Sequence, residues 1–580
     1  MVKLVPPGLS REQVEDHLFG RAAKIETQSV VASARWIDAD KLVAAAQSPD
    51  RPFYFGRLHR DSSAVFLGTL GAPPKSDQSQ GCPIGWSDNR HIVTVAGSRA
   101  GKGQSAIIPN LHLYAGSVVC IDPKGENAEA TASVRAGWHR QDVHVLDPFE
   151  VVRSQASHWA TFNPLDSVDL KADDAIEHVA LIADSLVVQA NEKDAHWDES
   201  ARSLIEALIL FTLVEPRIKD KSLVTMRLLL LTGDLRAARE TLILSVARQS
   251  RIWFPPQAIP DSALAGFDAL LTTMASNAHP RFGGVIRGQA NSLLSMGPEE
   301  RGGVLSTARR NTKFIDGVAM GRSLSTGKRS FDFAQLKSGA RGATVYIVLP
   351  ARYMATHSRW VRLLVNCMFI AVEKTKTARQ GEPSVLAILD EFPVLGYMRL
   401  VESAVGYMAG FGLKIWSIVQ DLSQLKRHYP QSWETFLGNA GLLQFFGNTD
   451  ETTLTYVSKR LGETEVEVPT STATESHTET VGGPSEAERA RVLHSQNASG
   501  AIDDDAFFES RSTQSGTTSG SSSQTTKTPL LTPDEVARLF SRESLNQLVV
   551  FAGMQPARLK RVEHHRLGKG AQAYWRQLVN

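Results

Sequence analysis

The sequence predicts an α/β fold in which a phosphate-binding loop belongs to an open, largely parallel sheet and an all-helical domain is inserted into the sheet domain. Three observations predict it. An apolar run breaks into a glycine-rich turn near residue 100, a second apolar run ends in two carboxylates near residue 390, and residues 171–328 have helical periodicity. Buried parallel strands read as continuous apolar runs, and ligands bind beyond their carboxyl ends.

The composition is that of an ordinary globular protein, with 580 residues, 42% of them hydrophobic and 21% charged. A chain of this length predicts two or three domains. The net charge of +2 makes any nucleic-acid surface a local patch. Three scattered cysteines match no metal pattern and suit a reducing compartment. We find no apolar run of about 18 residues and no signal-peptide pattern, which predicts a cytoplasmic protein, at most peripheral to the inner membrane.

The candidate phosphate loop follows the apolar run that begins at Val93. Its backbone N–H groups would face the phosphates, and the ammonium of the lysine would reach the outer ones. Ala96 stands where the usual pattern has its first glycine, and glycine also replaces the usual magnesium-binding Ser or Thr after the lysine, so an ordinary strand-to-helix turn is the alternative. The candidate binding residues are Gly97, Ser98, Arg99, Ala100, Gly101, Lys102, Gly103 and Gln104.

Two adjacent carboxylates, Asp390 and Glu391, end the apolar run that begins at Val385. At the carboxyl end of a strand, Asp390 would hold magnesium through its water shell and Glu391 would polarise the attacking water. A strand followed by a solvated acidic turn is the alternative. Together with the phosphate loop, this pair predicts an ATPase of the phosphate-loop class with ATP and Mg²⁺ as cofactors.

A third apolar run, Leu413–Val419, is followed by Gln420. A glutamine beside the γ-phosphate would report its presence or loss, and a plain turn residue is the alternative. The order of this run after the paired carboxylates favours the sensor role.

The chain order predicts six segments. The tract over 464–527 is rich in Ser and Thr and cannot bury enough apolar surface to order itself. The tail contains basic residues, among them Arg558, Lys560, Arg561, Arg566 and Lys569, which form either a solvated face or a nucleic-acid contact. The segments are an N-terminal helical arm (1–27), the first part of the nucleotide-binding domain (28–170), an inserted all-helical domain (171–328), the second part of the nucleotide-binding domain (329–463), a flexible Ser/Thr-rich loop (464–527), and the C-terminal part of the nucleotide-binding domain with the basic tail (528–580).

With these residues placed, the chain resembles the type IV coupling protein family, the TraG-type ATPases that deliver DNA or protein substrates to a secretion channel. The resemblance covers most of residues 30–560. It rests on several short motifs, among them Ser33–Trp36, Gly101–Gly103, Asp122–Glu126, Leu389–Gly396, Gln420–Leu425 and Ser458–Gly462. Glycine at position 103 is itself similar to much of this family, which removes the objection to the phosphate loop. The magnesium ligand at that position is still unexplained.

The resemblance implies a RecA-like nucleotide domain, a helical domain that receives substrate, and a ring of six subunits with ATP sites at subunit boundaries. It also implies as partners DNA, a relaxase-type protein substrate and type IV secretion components. An arginine acting in trans is expected, with Arg460 and Arg399 as candidates. Family members usually have membrane-spanning helices ahead of Ser33–Trp36, where about 32 residues stand here, so we expect a separate membrane anchor protein or a cytosolic relative.

The function predicted is an ATP-hydrolysing coupling protein or DNA translocase. Two alternatives remain open at this point. One is a cytosolic, FtsK-like DNA pump that works without a secretion channel. The other is a nucleotide-gated substrate adaptor with little turnover, which Gly103 favours.

Overall fold

The computed structural model describes residues 34–42, 64–70, 82–188, 195–235, 263–376, 383–482 and 510–578, together with 485–487, 490–491 and 494. The predicted arm over 1–27 lies outside these residues. The chain divides into two compact units, one formed by Ser458–Leu531 with the residues up to Arg35, the other by Trp36–Val457 with Thr532–Asn580. Within the described residues, no helix combines the length and the apolar character that a membrane crossing needs.

An eleven-stranded sheet forms the larger unit, in the order β2-β1-β13-β12-β9-β3-β8-β7-β4-β6-β5. The seven strands from β9 to β5 run parallel, and the four at the other end are antiparallel. The strands of this sheet are β1 (Val65–Leu70), β2 (Cys82–Trp86), β3 (His91–Ala96), β4 (Val118–Asp122), β5 (Asp142–Leu146), β6 (Ala343–Val348), β7 (Val385–Leu389), β8 (Leu413–Val419), β9 (Ala440–Phe446), β12 (Asn546–Phe551) and β13 (Ala557–Lys560).

The central strands are buried along their whole length, which explains their unbroken apolar sequences. Every residue of β3, β4, β6, β7, β8 and β9 is buried. Because helices cover both faces of a parallel sheet, such strands need no polar side. The main core contains Trp86, Tyr114, Tyr346 and Trp416, none of them more than 1% exposed.

Helices connect the strands and also make up the block that follows β5. The segment that leaves the sheet and the segment that returns to it lie side by side. Thr161 N donates to Arg329 O at 3.1 Å, and Phe331 N donates to Thr161 O at 2.9 Å. The predicted helical insert over 171–328 therefore belongs to the same compact unit as the sheet. The helices are Ile108–Leu113, Glu126–Gly137, Ala175–Leu186, Ala195–Val214, Leu223–Thr232, Ala263–Ala275, Gly283–Ser295, Pro298–Thr312, Val318–Ser323, Gln335–Ser338, Ala351–Lys374, Arg399–Tyr407, Leu422–His428, Trp433–Asn439, Glu451–Leu461, Pro533–Leu539 and Ala571–Gln577.

The smaller unit contains a long two-stranded antiparallel ribbon where the sequence predicted a flexible loop over 464–527. Its strands are β10 (Glu463–Gly482) and β11 (Ser510–Pro529), paired in one continuous register from Glu463↔Pro529 to Gly482↔Ser510. The prediction considered only apolar burial. Two strands satisfy each other's backbone groups without a core, and threonine, abundant here, is β-branched and suited to extended backbone.

Candidate active site

The loop predicted to bind phosphate connects β3 to a helical turn, Gly103–Ile107, that continues as Ile108–Leu113. Gly97 N donates to Phe446 O at 3.2 Å, and a Cβ atom at residue 97 would lie only 1.8 Å from Gly447 O, so no other residue fits there. Gly101 has a φ of +86°, which favours glycine. Ser98 and Arg99 are exposed at the tip. The first N–H groups of a helix lack intrahelical partners, so this loop offers donors to an anion.

Four predicted residues from three strand ends lie together beside this loop. Lys102 Nζ is 3.0 Å from Asp390 Oδ1 and 2.5 Å from Glu391 Oε1. Gln420 Nε2 donates to Glu391 Oε2 at 3.0 Å. Strand β8, which carries Gln420 at its end, lies between β3 and β7, so the sheet order brings the loop, the carboxylates and the glutamine to one edge.

Burial and charge compete in this cluster. Burial raises the pKa of Asp390, and the nearby Lys102 ammonium opposes that rise. For Lys102 the balance is reversed: burial lowers the pKa, but the charges of Asp390 and Glu391 outweigh it and the net shift is upward. Lys102 therefore carries its charge at neutral pH. Asp122, at the end of the neighbouring strand β4, has its pKa raised to about 7, chiefly by burial.

The backbone of Glu391 is left-handed, with φ 55° and ψ 41°. A non-glycine residue seldom adopts this conformation, and such strain clusters at functional sites. Glu391 N donates to Asp390 Oδ1 at 3.0 Å, which fixes the turn between the two carboxylates. The turn presents Glu391 to both Lys102 and Gln420.

A magnesium ion at this edge would depend on phosphate oxygens as well as protein groups. Among the described residues, no three His, Cys, Asp or Glu side chains are grouped so that they could hold a metal by themselves. Magnesium usually takes one or two carboxylates together with phosphates and water. Asp390, at the edge of the loop, fits the role of that carboxylate, while Gly103 offers no hydroxyl.

The sequence interpretation missed the support that the C-terminal strand gives to the loop. Arg561 follows β13 and is 1% exposed, so the interpretation of the basic tail as a solvated or nucleic-acid surface is wrong for this residue. Its Nη1 donates to Ala100 O at 2.5 Å and its Nη2 to Arg542 O at 3.0 Å. The guanidinium lies 4.5 Å from the centre of the Phe446 ring.

Two further contacts continue this support. His565 N donates to Gln104 Oε1 at 3.1 Å. A Cβ atom at residue 101 would approach Glu563 Oε1 to 2.8 Å. Both the loop and the first helical turn are therefore packed against residues 561–565.

The two candidate trans arginines are both exposed. Arg399 begins the helix Arg399–Tyr407 in the larger unit. Arg460 lies near the end of Glu451–Leu461, in the part of that helix that belongs to the smaller unit. Their roles stay predictions, as do the roles of the four clustered residues in phosphate binding, magnesium binding and catalysis.

Residues 24–496 match the sequence model of a family described as "Type IV secretory system Conjugative DNA transfer". The conjugal transfer protein TraG of Escherichia coli is 26% identical over 420 residues, which are 68% of this chain and 58% of TraG. The VirD4 protein of Agrobacterium fabrum is 25% identical over 413 residues, 71% of this chain and 54% of VirD4. The chain thus spans less than two thirds of the length of these relatives.

Solved structures of a bacterial conjugative coupling protein, TrwB, have a similar fold. The trigonal form of TrwBdeltaN70 with sulphate has a TM-score of 0.52 at 14% identity, covering 91% of this chain and 93% of that one. A TrwB complex with the non-hydrolysable ATP analogue ADPNP has a TM-score of 0.51 at 14% identity and the same coverage. The predicted fold class, α/β with a RecA-like nucleotide-binding domain, is confirmed.

Proposed function

The chain belongs to the type IV secretory system conjugative DNA transfer family, and we propose that it is an ATP-hydrolysing coupling protein that recruits DNA or a protein–DNA substrate and delivers it to a type IV secretion or conjugation apparatus. One observation carries the enzymatic part of the proposal. Lys102, Asp390, Glu391 and Gln420 meet at the carboxyl edge of the parallel sheet, at a loop that leads into a helix.

The chemistry assigns a separate task to each group. The loop amides and Lys102 hold the phosphates of ATP, and Asp390 holds magnesium, which neutralises developing charge on those phosphates. Glu391 orients and polarises the attacking water. Gln420, hydrogen-bonded to Glu391, reports the state of the γ-phosphate to the rest of β8.

The contacts of Lys102 couple nucleotide binding to the activation of water. Its ammonium is shared by Asp390 and Glu391, and phosphate oxygens would compete with both carboxylates for it. When Lys102 turns to phosphate, Glu391 loses a cation that neutralises it and becomes a better acceptor for a water proton. Gln420 keeps the carboxylate in place through its amide.

The active form we propose is a hexameric ring in which a neighbour completes each site with an arginine, either Arg399 or Arg460. DNA, a relaxase-type substrate, secretion components and a separate membrane anchor protein are the proposed partners. Mixing an arginine-to-alanine chain with a Glu391→Gln chain tests the arginine. Only a residue that acts across the boundary lets two inactive chains restore turnover together.

ATP hydrolysis by the purified chain, measured with and without DNA and with the oligomeric state recorded in parallel, tests the proposal. We expect low turnover by a largely monomeric protein and stimulation by DNA. The stimulation should fall steeply between about 50 and 200 mM salt, because phosphate contacts release counterions. A fully active monomer that ignores both DNA and salt would contradict the motor function.

A nucleotide-gated adaptor is the second candidate, and Gly103 is the observation that favours it. Without a hydroxyl at this position, magnesium has one protein ligand fewer than in the usual phosphate loop. Such a protein would bind ATP and recruit substrate yet show no DNA-stimulated turnover. Parallel measurement of nucleotide affinity and turnover separates the two functions.

A further inference from the structure

The space beside Gly103 contains a second oxygen-bearing side chain. Within the part of the chain that the structure describes, and apart from the local helical segment itself, a Cβ atom built at residue 103 would have one neighbour within 4 Å, the amide oxygen Oδ1 of Asn127, at 3.9 Å. Residue 103 also lies in helical backbone, where other residues are tolerated. The amide oxygen therefore lies next to the volume that a serine or threonine side chain would occupy.

The Asn127 side chain is held in a defined orientation. It is 4% exposed, and its Nδ2 group donates to Cys120 Sγ at 3.9 Å, which leaves Oδ1 directed toward Gly103. Its helix, Glu126–Gly137, is anchored at the start by a hydrogen bond from Ala128 N to Asp122 Oδ2, 2.8 Å long. The side chain and the start of its helix are thus each held by a contact with β4.

The position of this helix relates Asn127 to the proposed magnesium carboxylate. The helix follows β4, and β4 pairs in parallel with β7, the strand that Asp390 follows, with Cys120 opposite Ile388. Asn127 therefore belongs to the same edge of the sheet as the loop and the carboxylates.

We propose that Asn127 Oδ1 takes the place of the missing hydroxyl and holds the magnesium ion, or one of its waters, that accompanies ATP. Amide and carboxylate oxygens are suitable ligands or outer-shell partners for magnesium. This inference rests on the proposed function, since it needs nucleotide at the loop. With Asn127 as a ligand, the lack of a hydroxyl at Gly103 no longer implies a weak magnesium site.

The test measures the affinity of the full chain for a fluorescent, non-hydrolysable ATP analogue across a magnesium titration and in EDTA. We expect Asn127→Ala to raise the magnesium concentration needed for tight binding by about 10- to 100-fold. Affinity in EDTA should be unchanged, because the loop itself is intact. Adding Gly103→Ser to Asn127→Ala should restore most of the magnesium response, since the serine meets no obstacle.

Thr131→Val is the matched control for damage to the helix. Thr131 is buried one turn after Asn127, and its hydroxyl donates to Asn127 O and hydrogen-bonds Tyr346. This variant should leave the magnesium response unchanged. Equal magnesium responses in the wild type and in Asn127→Ala would overturn the proposal, as would an equal loss of affinity in EDTA. Failure of the wild type to bind the analogue at all would instead overturn the proposed function.

Discussion

Replacing Arg561 with alanine should loosen the phosphate loop from the C-terminal side. The change removes two charge-assisted hydrogen bonds, to Ala100 O and Arg542 O, and the contact with the Phe446 ring. Each such bond contributes about 1.5 to 3 kcal/mol and the ring contact about 1 to 2 kcal/mol. Burial lowers the pKa of Arg561 to about 10, so the buried charge has a free-energy cost in the wild type. The alanine variant no longer has this cost. We therefore expect a net destabilisation of about 3 kcal/mol.

Two measurements follow the effect, the unfolding midpoint in urea and the affinity for the fluorescent ATP analogue. Both should fall in Arg561→Ala. Arg561→Lys should be intermediate, because a single ammonium cannot reach both carbonyls in the geometry of a guanidinium fork. The control is Arg558→Ala, an exposed position on the strand that precedes Arg561. Surface changes of that kind usually stay within about 0.5 kcal/mol.

One pattern of results would refute the support of the phosphate loop by Arg561. If Arg561→Ala and Arg558→Ala had the same midpoint and the same nucleotide affinity, the C-terminal strand would not support the loop. A lowered midpoint with unchanged affinity would limit Arg561 to holding the fold.

Lys102→Ala should abolish binding of the ATP analogue, because the proposed function assigns its ammonium to the outer phosphates; an unchanged fluorescence titration would contradict the phosphate-loop assignment. Glu391→Gln should retain nucleotide and magnesium but lose hydrolysis, whereas Asp390→Asn should weaken magnesium-dependent binding; identical behaviour in both assays would show that their roles are not separate. Removing residues 470–522 should leave soluble protein and basal turnover nearly unchanged, since the residues that flank the cut are cross-strand partners and a short turn can rejoin them; insoluble protein would show the ribbon to be structural. Asp122 titrates near pH 4 when unfolded and at about 7 when folded, so it makes stability fall as the pH rises through that window. From pH 5 to pH 8, the melting temperature of Asp122→Asn should accordingly fall less, or rise more, than that of the wild type.

The residues of the candidate site could be predicted from sequence because each follows an unbroken apolar run. Runs ending at Ala96, Leu389 and Val419 predicted buried parallel strands, and polar residues at their ends share one edge whatever the strand order. Both the apolar runs and the polar residues that follow them can be identified from local sequence.

Other parts of the structure depend on contacts that local sequence does not contain. Arg561 has basic neighbours on the chain, and only the pairing of β13 beside β12 buries it. The approach of Asn127 to Gly103 results from two helices meeting over the sheet. Strand β9 begins with Ala-Gly and contains Gln444, so its apolar run is broken and too weak to predict. The ribbon lacks apolar alternation altogether.

The strand order also determines when the sheet can be completed during translation. Strands β1 and β2 join the rest of the sheet through β13, with Thr69 opposite Lys560, so both strands must wait until β13 has been translated. At about 5 to 20 residues per second this wait lasts roughly 25 to 100 s. Throughout that time the early strands have an unpaired edge, which invites aggregation. Arg561, which contacts the phosphate loop, directly follows β13, so the nascent chain completes its candidate nucleotide site only after that strand has been made.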